Sequence, residues 1–259
     1  MSIASHSRVL REPFGIVTKQ DQLVIALAGN PNVGKSTVFN ALTGLRQHTG
    51  NWPGKTVDYA QGSFTYQDKS FLLIDLPGTY SILAHTVEEE IARDFICFGH
   101  PDVTVVVLDA TSLERNLNLA LQIMETTAKV VVCVNLIDEA KKKRLAIDFL
   151  ALEKELGVPV VPTAARLGIG LNELKEKIYH VAIGKIKPKP MQIKYSSEVE
   201  KAVQSLLPYL NQLEISKTLN PRWVALRLLD GDEKFITSIT SHAKCQSITN
   251  IIGEAEVAL

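Results

Sequence analysis

The feature that most constrains the fold of this chain is a glycine-rich segment between an apolar run and a helical pattern. Leu23–Ala28 is continuously apolar, residues 29–36 read GNPNVGKS, and Thr37–Leu42 has helical character. The segment fits GxxxxGK[ST], in which glycines let successive backbone N–H groups point at phosphate oxygens beside a helix N-terminus. We predict a phosphate-binding loop here, against the alternative of a glycine-rich surface turn. Its predicted nucleotide ligands are Gly29, Asn30, Pro31, Asn32, Val33, Gly34, Lys35, Ser36 and Thr37.

A second motif supplies a candidate magnesium ligand and a γ-phosphate contact. In the first loop, Lys35 is expected to reach the β and γ phosphates as a catalytic residue, and the Ser36 hydroxyl is expected to bind Mg²⁺. Downstream, residues 75–78 read DLPG at the end of a predicted strand, so that Asp75 can hold a metal-bound water and the Gly78 N–H can approach a γ-phosphate as a catalytic group. DxxG alone is also an ordinary turn. The predicted nucleotide ligands of this motif are Asp75, Leu76, Pro77 and Gly78.

Between these two motifs lies a loop rich in helix and strand breakers. Residues 50–56 read GNWPGKT. Thr56 is our candidate for a second hydroxyl on Mg²⁺ and for a catalytic γ-phosphate contact through its N–H, with Gly54 and Lys55 as further nucleotide ligands. A loop held only by γ-phosphate and metal is the order–disorder switch of this chemistry. That Thr56 merely starts a strand remains the alternative.

A fourth element is expected to recognise the base. Residues 135–138, NLID, follow an apolar strand, so their polar side chains lie at the carboxyl end of the predicted sheet. The Asp138 carboxylate can accept both neighbouring N–H groups of guanine, whereas adenine offers no such pair. A site built on that double hydrogen bond rejects the wrong base by about 10⁴-fold. Asn135 and Leu136 are included in the predicted site, Thr163, Ala164 and Ala165 are expected to complete it through backbone contacts, and a simple NxxD helix cap is the alternative.

The pattern of elements predicts an α/β domain followed by a helical one. The strands form a mostly parallel, six-stranded sheet, in which Val57–Tyr66 and Phe71–Asp75 make an antiparallel hairpin at one edge. The remaining predicted strands are Leu23–Ala28, Val103–Asp109, Val130–Asn135 and Val158–Pro162. Beyond a proline-containing linker, a small helical bundle is expected, with a capping box at Ser197 and Glu200 and an Asn220-Pro221 helix start.

Charge and cysteine content exclude several classes of protein. The 28 Lys and Arg balance the 28 Asp and Glu, so no net field draws the chain to nucleic acid, and no nucleic-acid partner is expected. Cys97, Cys133 and Cys245 have neither disulfide-framework nor zinc spacing, which favours a reducing, cytoplasmic setting. The sequence has no apolar run of about 18 residues and no signal peptide. We therefore expect a soluble fragment, whether or not it is the end of something longer.

These motifs, in this order, resemble the TRAFAC GTPases, and GNPNVGKSTVFNALTG, GNWPGKTV and DLPGTYSI together resemble the FeoB family of ferrous iron transporters. The resemblance implies a Ras-like P-loop GTPase fold and a GTP-hydrolysing regulatory region that binds GTP and GDP. We divide the chain into an arm (1–22), which is longer than the resemblance implies, a G domain (23–184), a linker (185–190) and a helical, GDI-like domain (191–259). The resemblance also implies a membrane permease domain normally on the same chain, at the cytoplasmic face of the cell (inner) membrane, and leaves a homo-oligomer open.

Two departures from common G-protein patterns shape the expected activity. Leu136 replaces the usual lysine of NKxD, from which we expect micromolar GDP binding. Thr79 stands where Ras-like enzymes carry glutamine, so unassisted hydrolysis is expected on the order of 10⁻³ s⁻¹ or below. The resemblance implies a remedy, K⁺ bound by Asn32 with carbonyls near Asn51 and Trp52, although Asn32 shaping only the turn is the alternative.

Other polar or reactive residues receive structural interpretations. His48, His85 and His100 are expected at surface or capping positions. Cys133 is expected in a buried strand, and Cys97 is expected to be packed just after a helix over Glu88–Ile96. The run Lys141–Arg144 is a solvated helix end, and Glu88–Glu90 opens a helix. The functional alternatives to a transporter GTPase are a soluble ribosome- or RNA-associated GTPase and a nucleotide-gated scaffold.

Overall fold

The chain divides into two units in its computed structural model, which describes residues 11–44, 47–213, 216 and 218–243. The first unit comprises residues 1–124 and 128–191, and the second comprises 125–127 and 192–259. Parts of the predicted arm and helical domain, residues 1–10 and 244–259 with Cys245, lie outside the described residues. The predicted linker falls in the first unit, where the Lys189 N–H donates to the Gly157 carbonyl (2.9 Å) and the Met191 N–H to the Leu156 carbonyl (2.9 Å).

A seven-stranded, mostly parallel sheet forms the centre of the first unit, in the order β2-β3-β4-β1-β5-β6-β7. The pairs β1/β4, β1/β5, β5/β6 and β6/β7 are parallel, while β2/β3 and β3/β4 are antiparallel. The strands are β1 (Leu23–Gly29), β2 (Gln47–Asn51), β3 (Asp58–Tyr66), β4 (Lys69–Asp75), β5 (Val103–Asp109), β6 (Val130–Asn135) and β7 (Val160–Pro162).

The predicted α/β class, parallel sheet and β3/β4 hairpin are confirmed, but the strand number and the edge are corrected. The sheet has seven strands rather than six, because Gln47–Asn51 pairs antiparallel with β3 and takes the edge position. This strand, QHTGN, has no apolar alternation, since an edge strand with solvent on both sides needs none. His48 accordingly lies exposed on a strand rather than in a loop.

Buried apolar strands explain why the centre of the sheet forms. All six residues of β6 and the first six residues of β5 are buried, as expected for parallel strands covered by helices on both faces. The helices in the described residues are α1 (Lys35–Thr43), α2 (Val87–Phe98), α3 (Leu113–Thr126), α4 (Ile137–Lys142), α5 (Phe149–Leu156), α6 (Leu171–Ala182), α7 (Ser197–Leu210), α8 (Pro221–Leu229) and α9 (Glu233–Ala243). In the described part of the chain, none of these helices combines the length and apolar character needed to cross a bilayer.

Capping residues fix several helix starts. Thr86 and Glu89 form a capping box at α2, and its first turn holds the predicted glutamates 88–90. Asn220 caps α8 through the Arg222 N–H (3.1 Å), as predicted. The predicted box at Ser197 is wrong by one residue, because Ser196 is the N-cap and accepts from the Val199 N–H.

Glu200 has a different role from the predicted cap, within the second unit. Both of its carboxylate oxygens accept from the Arg222 guanidinium at 2.7 Å, and one of them also accepts from the Tyr195 N–H at 2.9 Å. These hydrogen bonds lower the pKa of Glu200 to about 2, and the bond from Arg222 has the largest effect. Trp223 of α8 packs edge-on to Phe235 of α9 at 4.5 Å. The second unit therefore has its own ion pair and its own aromatic contact.

Candidate functional site

The predicted phosphate-binding loop joins β1 to α1 and leaves the start of that helix without a cap. Gly34 is the N-cap residue, with φ of 81°, and no side chain hydrogen-bonds into the first turn, which also holds no acidic residue. The first turn of an α-helix has N–H groups without intrahelical partners, and these carry the positive end of its dipole. An uncapped start such as that of α1 is thus free to bind an anion.

Two glycines of this loop are required by close packing as well as by conformation. A Cβ at Gly29 would lie 2.7 Å from the Val107 carbonyl oxygen of β5. A Cβ at Gly34 would lie 2.5 Å from the Asn135 amide nitrogen, and the positive φ of Gly34 disfavours any other residue. The loop therefore fits against the carboxyl ends of its neighbouring strands only with glycine at both positions.

Lys35 and Asp75, both predicted site residues, lie together at the mouth of the loop. The Lys35 ammonium forms an ion pair with the Asp75 carboxylate and donates to the Leu76 carbonyl at 2.6 Å. Burial raises the pKa of Asp75 above its ordinary value, although the charge of Lys35 beside it acts in the opposite direction. The pair thus places an ammonium and a carboxylate side by side at the start of α1.

The DLPG motif lies directly against the phosphate-binding loop. The Leu76 N–H donates to the Leu27 carbonyl at 3.0 Å, and the Thr79 N–H donates to the Gly29 carbonyl at 3.3 Å. Gly78 is exposed, and a Cβ there would be 3.5 Å from Pro31. The structure thus brings the first and second predicted motifs into one cleft.

The loop that carries Thr56 is folded as a turn between β2 and β3. The Trp52 N–H donates to the Val57 carbonyl (2.9 Å), and the Lys55 N–H donates to the Trp52 carbonyl (3.0 Å). Thr56 is exposed, and among the described residues it makes no hydrogen bond to Ser36 or Asp75. Within the described residues, no hydrogen bond therefore joins Thr56 of the third predicted motif to Ser36 of the first or Asp75 of the second.

Asn32, the predicted K⁺ ligand, is exposed and adopts a left-handed conformation with φ of 67°. In the described part of the chain, no hydrogen bond joins its side chain to Asn51 or Trp52. Trp52 has a buried side chain, whereas Asn51 is exposed.

Asn135 links three predicted elements from a buried position. Its side chain is 1% exposed and donates to the Val33 carbonyl at 3.1 Å. Its amide oxygen accepts from the Ala165 N–H (3.1 Å) and from the Thr163 hydroxyl (3.2 Å). Asn135 therefore fixes the phosphate-binding loop and the residue 163–165 segment, and its side-chain groups are used within the protein.

Leu136 and Asp138 follow the buried Asn135 in the chain and are only partly buried themselves. Asp138 is half-buried in the first turn of α4 and lines a cavity of about 730 Å³. Leu136 is the N-cap residue of α4 with φ of 63°, and a Cβ at Gly34 would be 3.9 Å from its side chain. Leu136 therefore packs beside the phosphate-binding loop, as the stem of a lysine at this position would.

The residues given structural interpretations behave largely as expected. Cys133 is buried in β6, where burial raises the pKa of its thiol to about 12. Cys97 is packed as predicted, but it lies within α2 rather than after it, because that helix continues to Phe98. Residues 141–144 are exposed at the end of α4, and His85 is exposed just before the N-cap of α2.

Sequence reasoning missed Gln122, which holds the segment after DLPG. Its side-chain oxygen accepts from the Ser81 hydroxyl (3.0 Å) and from the Ile82 N–H (2.9 Å). In the sequence, Gln122 is an ordinary polar residue of the amphipathic helix α3, so no local pattern distinguishes it. Sequence reasoning also missed the packing of residues 11–22. The buried residues of this segment are Arg11, Phe14, Ile16, Thr18 and Gln22.

Comparison with known proteins gives matches for both units. A sequence model of the family described as ferrous iron transport protein B matches residues 23–178, and one of the FeoB cytosolic helical domain matches residues 195–259. The Fe(2+) transporter FeoB of Methanocaldococcus jannaschii is 44% identical over 247 residues, which cover 91% of this chain and 36% of that protein. The Fe(2+) transporter FeoB of Escherichia coli K12 is 38% identical over 223 residues, or 82% of this chain and 27% of that protein.

Solved structures agree with these sequence matches. The cytosolic domain of the T. maritima FeoB iron transporter in a GDP form superposes with a TM-score of 0.78 at 41% identity, covering 85% of each chain. The chain thus resembles the cytosolic part of those transporters and spans roughly a third of the M. jannaschii relative, 36% of its length.

Proposed function

The chain belongs to the ferrous iron transport protein B family, and on that premise we propose that it binds GTP in the cleft between α1 and DLPG and hydrolyses it to GDP and phosphate. The observation that carries this proposal is the uncapped start of α1 beside the Lys35–Asp75 pair. Free N–H groups and an ammonium receive the phosphates, while Asp138 accepts the two N–H groups of guanine. A helix start without a cap and without acidic residues favours an anionic ligand over a structural role.

A magnesium ion fits the oxygen donors that this site offers. Hydroxyl and carboxylate oxygens are the ligands Mg²⁺ prefers, and Ser36, Thr56 and Asp75 supply them. When bound, the ion neutralises charge on the β and γ phosphates. Ser36 lies at the start of α1, whereas Thr56 is exposed in the turn described above, and we propose that its loop leaves this turn when Thr56 binds the ion.

Potassium is proposed as the source of the positive charge that an arginine finger would otherwise bring, in a chain that has Thr79 where Ras-like enzymes carry glutamine. Asn32, with carbonyls near Asn51 and Trp52, offers the oxygen ligands that a monovalent cation needs beside the phosphates. The Trp52 carbonyl accepts one hydrogen bond, from the Lys55 N–H in the turn, and its second lone pair remains for a cation. We expect faster turnover in KCl than in NaCl, with the advantage lost in Asn32→Ala.

Steady-state phosphate release tests the enzymatic proposal directly. The unsubstituted chain is incubated with Mg-GTP or Mg-ATP in KCl and in NaCl, with Lys35→Ala as the inactive control and Asn32→Ala as the potassium control. We expect GTP-specific release that is slow in NaCl, on the order of 10⁻³ s⁻¹ or below. Equal release in Lys35→Ala would overturn the hydrolysis proposal, and equal rates in both salts would overturn only the role of K⁺.

We further propose that this region regulates an Fe²⁺ transporter. The relatives named Fe(2+) transporter FeoB are longer than this chain, which matches 36% and 27% of two of them. A membrane permease on the same chain would place this region at the cytoplasmic face of the membrane. Iron uptake in cells that carry the full-length protein with Lys35→Ala tests this proposal. An uptake rate equal to that of the unsubstituted protein would show that the nucleotide site does not regulate transport.

A further inference from the structure

A short segment before the family-matched residues packs against the loop that carries Thr56. Phe14 is 7% exposed and lies edge-on to Phe95 of α2 (5.4 Å between ring centroids) and to Trp52 (6.4 Å). The next residue, Gly15, lies against the loop as well, because a Cβ there would be 3.3 Å from Pro53. Residues 14 and 15 therefore lie against Trp52 and Pro53 of this loop, although the family model begins only at residue 23.

Arg11 ties this segment to the fixed part of the first unit. Its side chain, 4% exposed, donates to the Gly99 carbonyl (3.2 Å) and the His100 carbonyl (2.7 Å), and forms an ion pair with Asp102 (3.0 Å). Asp102 also accepts from the Val24 N–H at 2.7 Å, which anchors it to the start of β1. A guanidinium that donates to several oxygens at once holds a segment more firmly than a single surface ion pair.

Trp52 is the part of the loop that this segment holds. Its ring is 3% exposed and packs against Phe95 (5.5 Å) and Tyr59 (5.3 Å) as well as Phe14. Its indole N–H is buried, and it donates to no acceptor among the described residues. A buried donor without an acceptor is a free-energy cost of this conformation, which a movement of the loop would relieve. Packing rather than polar contact therefore holds the Trp52 side chain, while backbone hydrogen bonds to Val57 and Lys55 hold its main chain.

We propose that Arg11 and Phe14 are positioning residues that hold Trp52 and thereby keep the 50–56 loop in its turn conformation, with Thr56 in solvent. The inference rests on the proposed function, in which GTP but not GDP draws this loop to the phosphates. A ligand that binds only the alternative conformation must work against whatever stabilises the first. The segment therefore weakens binding of the triphosphate selectively, and its loss strengthens triphosphate binding while diphosphate binding stays unchanged.

Paired titrations with two nucleotides separate this role from a general effect on stability. Dissociation constants of Mg-GDP and of a non-hydrolysable Mg-GTP analogue are measured by calorimetry for the unsubstituted chain, Phe14→Ala, Phe14→Tyr and Val17→Ala. Phe14 makes two aromatic contacts, so Phe14→Ala is expected to bind the analogue about fivefold more tightly and GDP within about twofold. Phe14→Tyr retains the ring and is expected to restore the original ratio. Val17, 82% exposed on the same segment, is the neutral control.

The fluorescence of Trp52 gives a second readout that needs no nucleotide. In a Trp223→Phe background, Trp52 is the remaining tryptophan. Phe14→Ala is expected to shift the Trp52 emission to longer wavelength. The non-hydrolysable GTP analogue is expected to cause the same shift in the chain that retains Phe14. An Arg11→Ala chain that folds, as judged by circular dichroism, is expected to behave like Phe14→Ala, and Phe14→Leu replaces it if Arg11→Ala does not fold.

The outcomes distinguish the two proposals. Equal changes in GDP and analogue affinity, or a Trp52 emission that ignores Phe14→Ala, would overturn the positioning role while leaving GTP binding intact. If the unsubstituted chain binds neither nucleotide, the proposed function fails. The emission of Trp52 without nucleotide then still decides whether Phe14 holds the loop.

Discussion

The base end of the site and the 50–56 loop are held by different kinds of interaction. At the base end, the buried Asn135 side chain hydrogen-bonds to three partners, and Gly34 packs against its amide with no room for a methyl group. At the loop, residues 53–56 are exposed and a single buried ring, that of Trp52, provides the packing.

This difference matches the roles that the proposed function gives to the two regions. Base recognition is the same in both nucleotide states, so a rigid frame loses nothing and gains selectivity. Sensing the γ-phosphate requires a segment with two arrangements of similar free energy, which a loop with few polar contacts to the sheet can provide. The comparison predicts that substitutions at the base end change the binding of GTP and GDP alike, whereas substitutions in the loop change only the preference between them.

The largest expected effect is at the base itself. Asp138→Asn replaces one acceptor oxygen by a donor, so guanine can no longer donate both of its N–H groups. The preference for GDP over ADP is expected to fall by about 10⁴-fold. Competitive titration of the two nucleotides measures it.

Glu139→Gln is the matched control for Asp138→Asn. Glu139 is the neighbouring carboxylate on α4, and its pair with Lys142 (2.8 Å) is on the surface. The preference for guanine is expected to stay within about twofold in this variant, since exposed pairs contribute little. A similar loss in both variants would show that charge near α4, rather than a double hydrogen bond, selects the base.

Gly34→Ala tests the rigid frame and is expected to have the next largest effect. The new methyl group would lie 2.5 Å from the Asn135 amide nitrogen, and φ of 81° is unfavourable for alanine. Lost hydrogen bonds and backbone strain together are expected to cost about 3 kcal/mol of unfolding free energy. Affinities for GDP and the GTP analogue should both fall, by about 100-fold.

Gly44→Ala provides the control for backbone strain alone. Gly44 also has a positive φ, 65°, but a Cβ there meets no atom of the described part of the chain within 4 Å. Thermal unfolding and GDP titration of both variants separate strain from collision. If Gly44→Ala weakens nucleotide binding as much as Gly34→Ala, the packing against Asn135 is not what matters.

The sequence predicted the strands and the glycine-rich loop of the site better than the arrangement around the 50–56 loop, for a physical reason. The strand-loop-helix arrangement around Lys35 and the apolar β5 and β6 follow from local patterns, since buried strands and glycine turns require particular residue types. The edge strand β2 was not predicted, because its residues meet no such requirement. The role of Asn135 as an internal link was also beyond the sequence, because its partners, Val33 and Ala165, are distant along the chain.

The N-terminal segment shows the same limit more sharply. Arg11 and Phe14 stand in a stretch with a polar overall composition, in which no period marks them as buried. Their partners, Phe95 and Asp102, lie more than eighty residues away, and only the folded chain brings them together. Long-range contacts of this kind are what pattern reasoning on one sequence leaves out.

Leu136→Lys is expected to have a smaller effect, confined to affinity. The lysine stem can pack where Leu136 now lies beside Gly34, and its added length covers more of the base. GDP affinity is expected to rise about tenfold, which corresponds to about 1.4 kcal/mol. Leu136→Met, which adds reach without charge, is the control. A nanomolar dissociation constant for the unsubstituted chain would contradict the expectation that Leu136 weakens binding.

The smallest expected effect lies in the loop and completes the comparison. Gly54 has φ of 70°, and a Cβ there meets no atom of the described residues within 4 Å, so Gly54→Ala strains the turn without a collision. About 1 kcal/mol of strain disfavours the turn, and the ratio of GTP-analogue to GDP affinity is expected to rise about fivefold. Gly184→Ala has the same strain outside the site, with φ of 75°, and is expected to leave the ratio within about twofold. If Gly54→Ala instead weakens GDP binding, the turn conformation itself contributes to binding the diphosphate. The proposed difference between the base end and the 50–56 loop is then wrong.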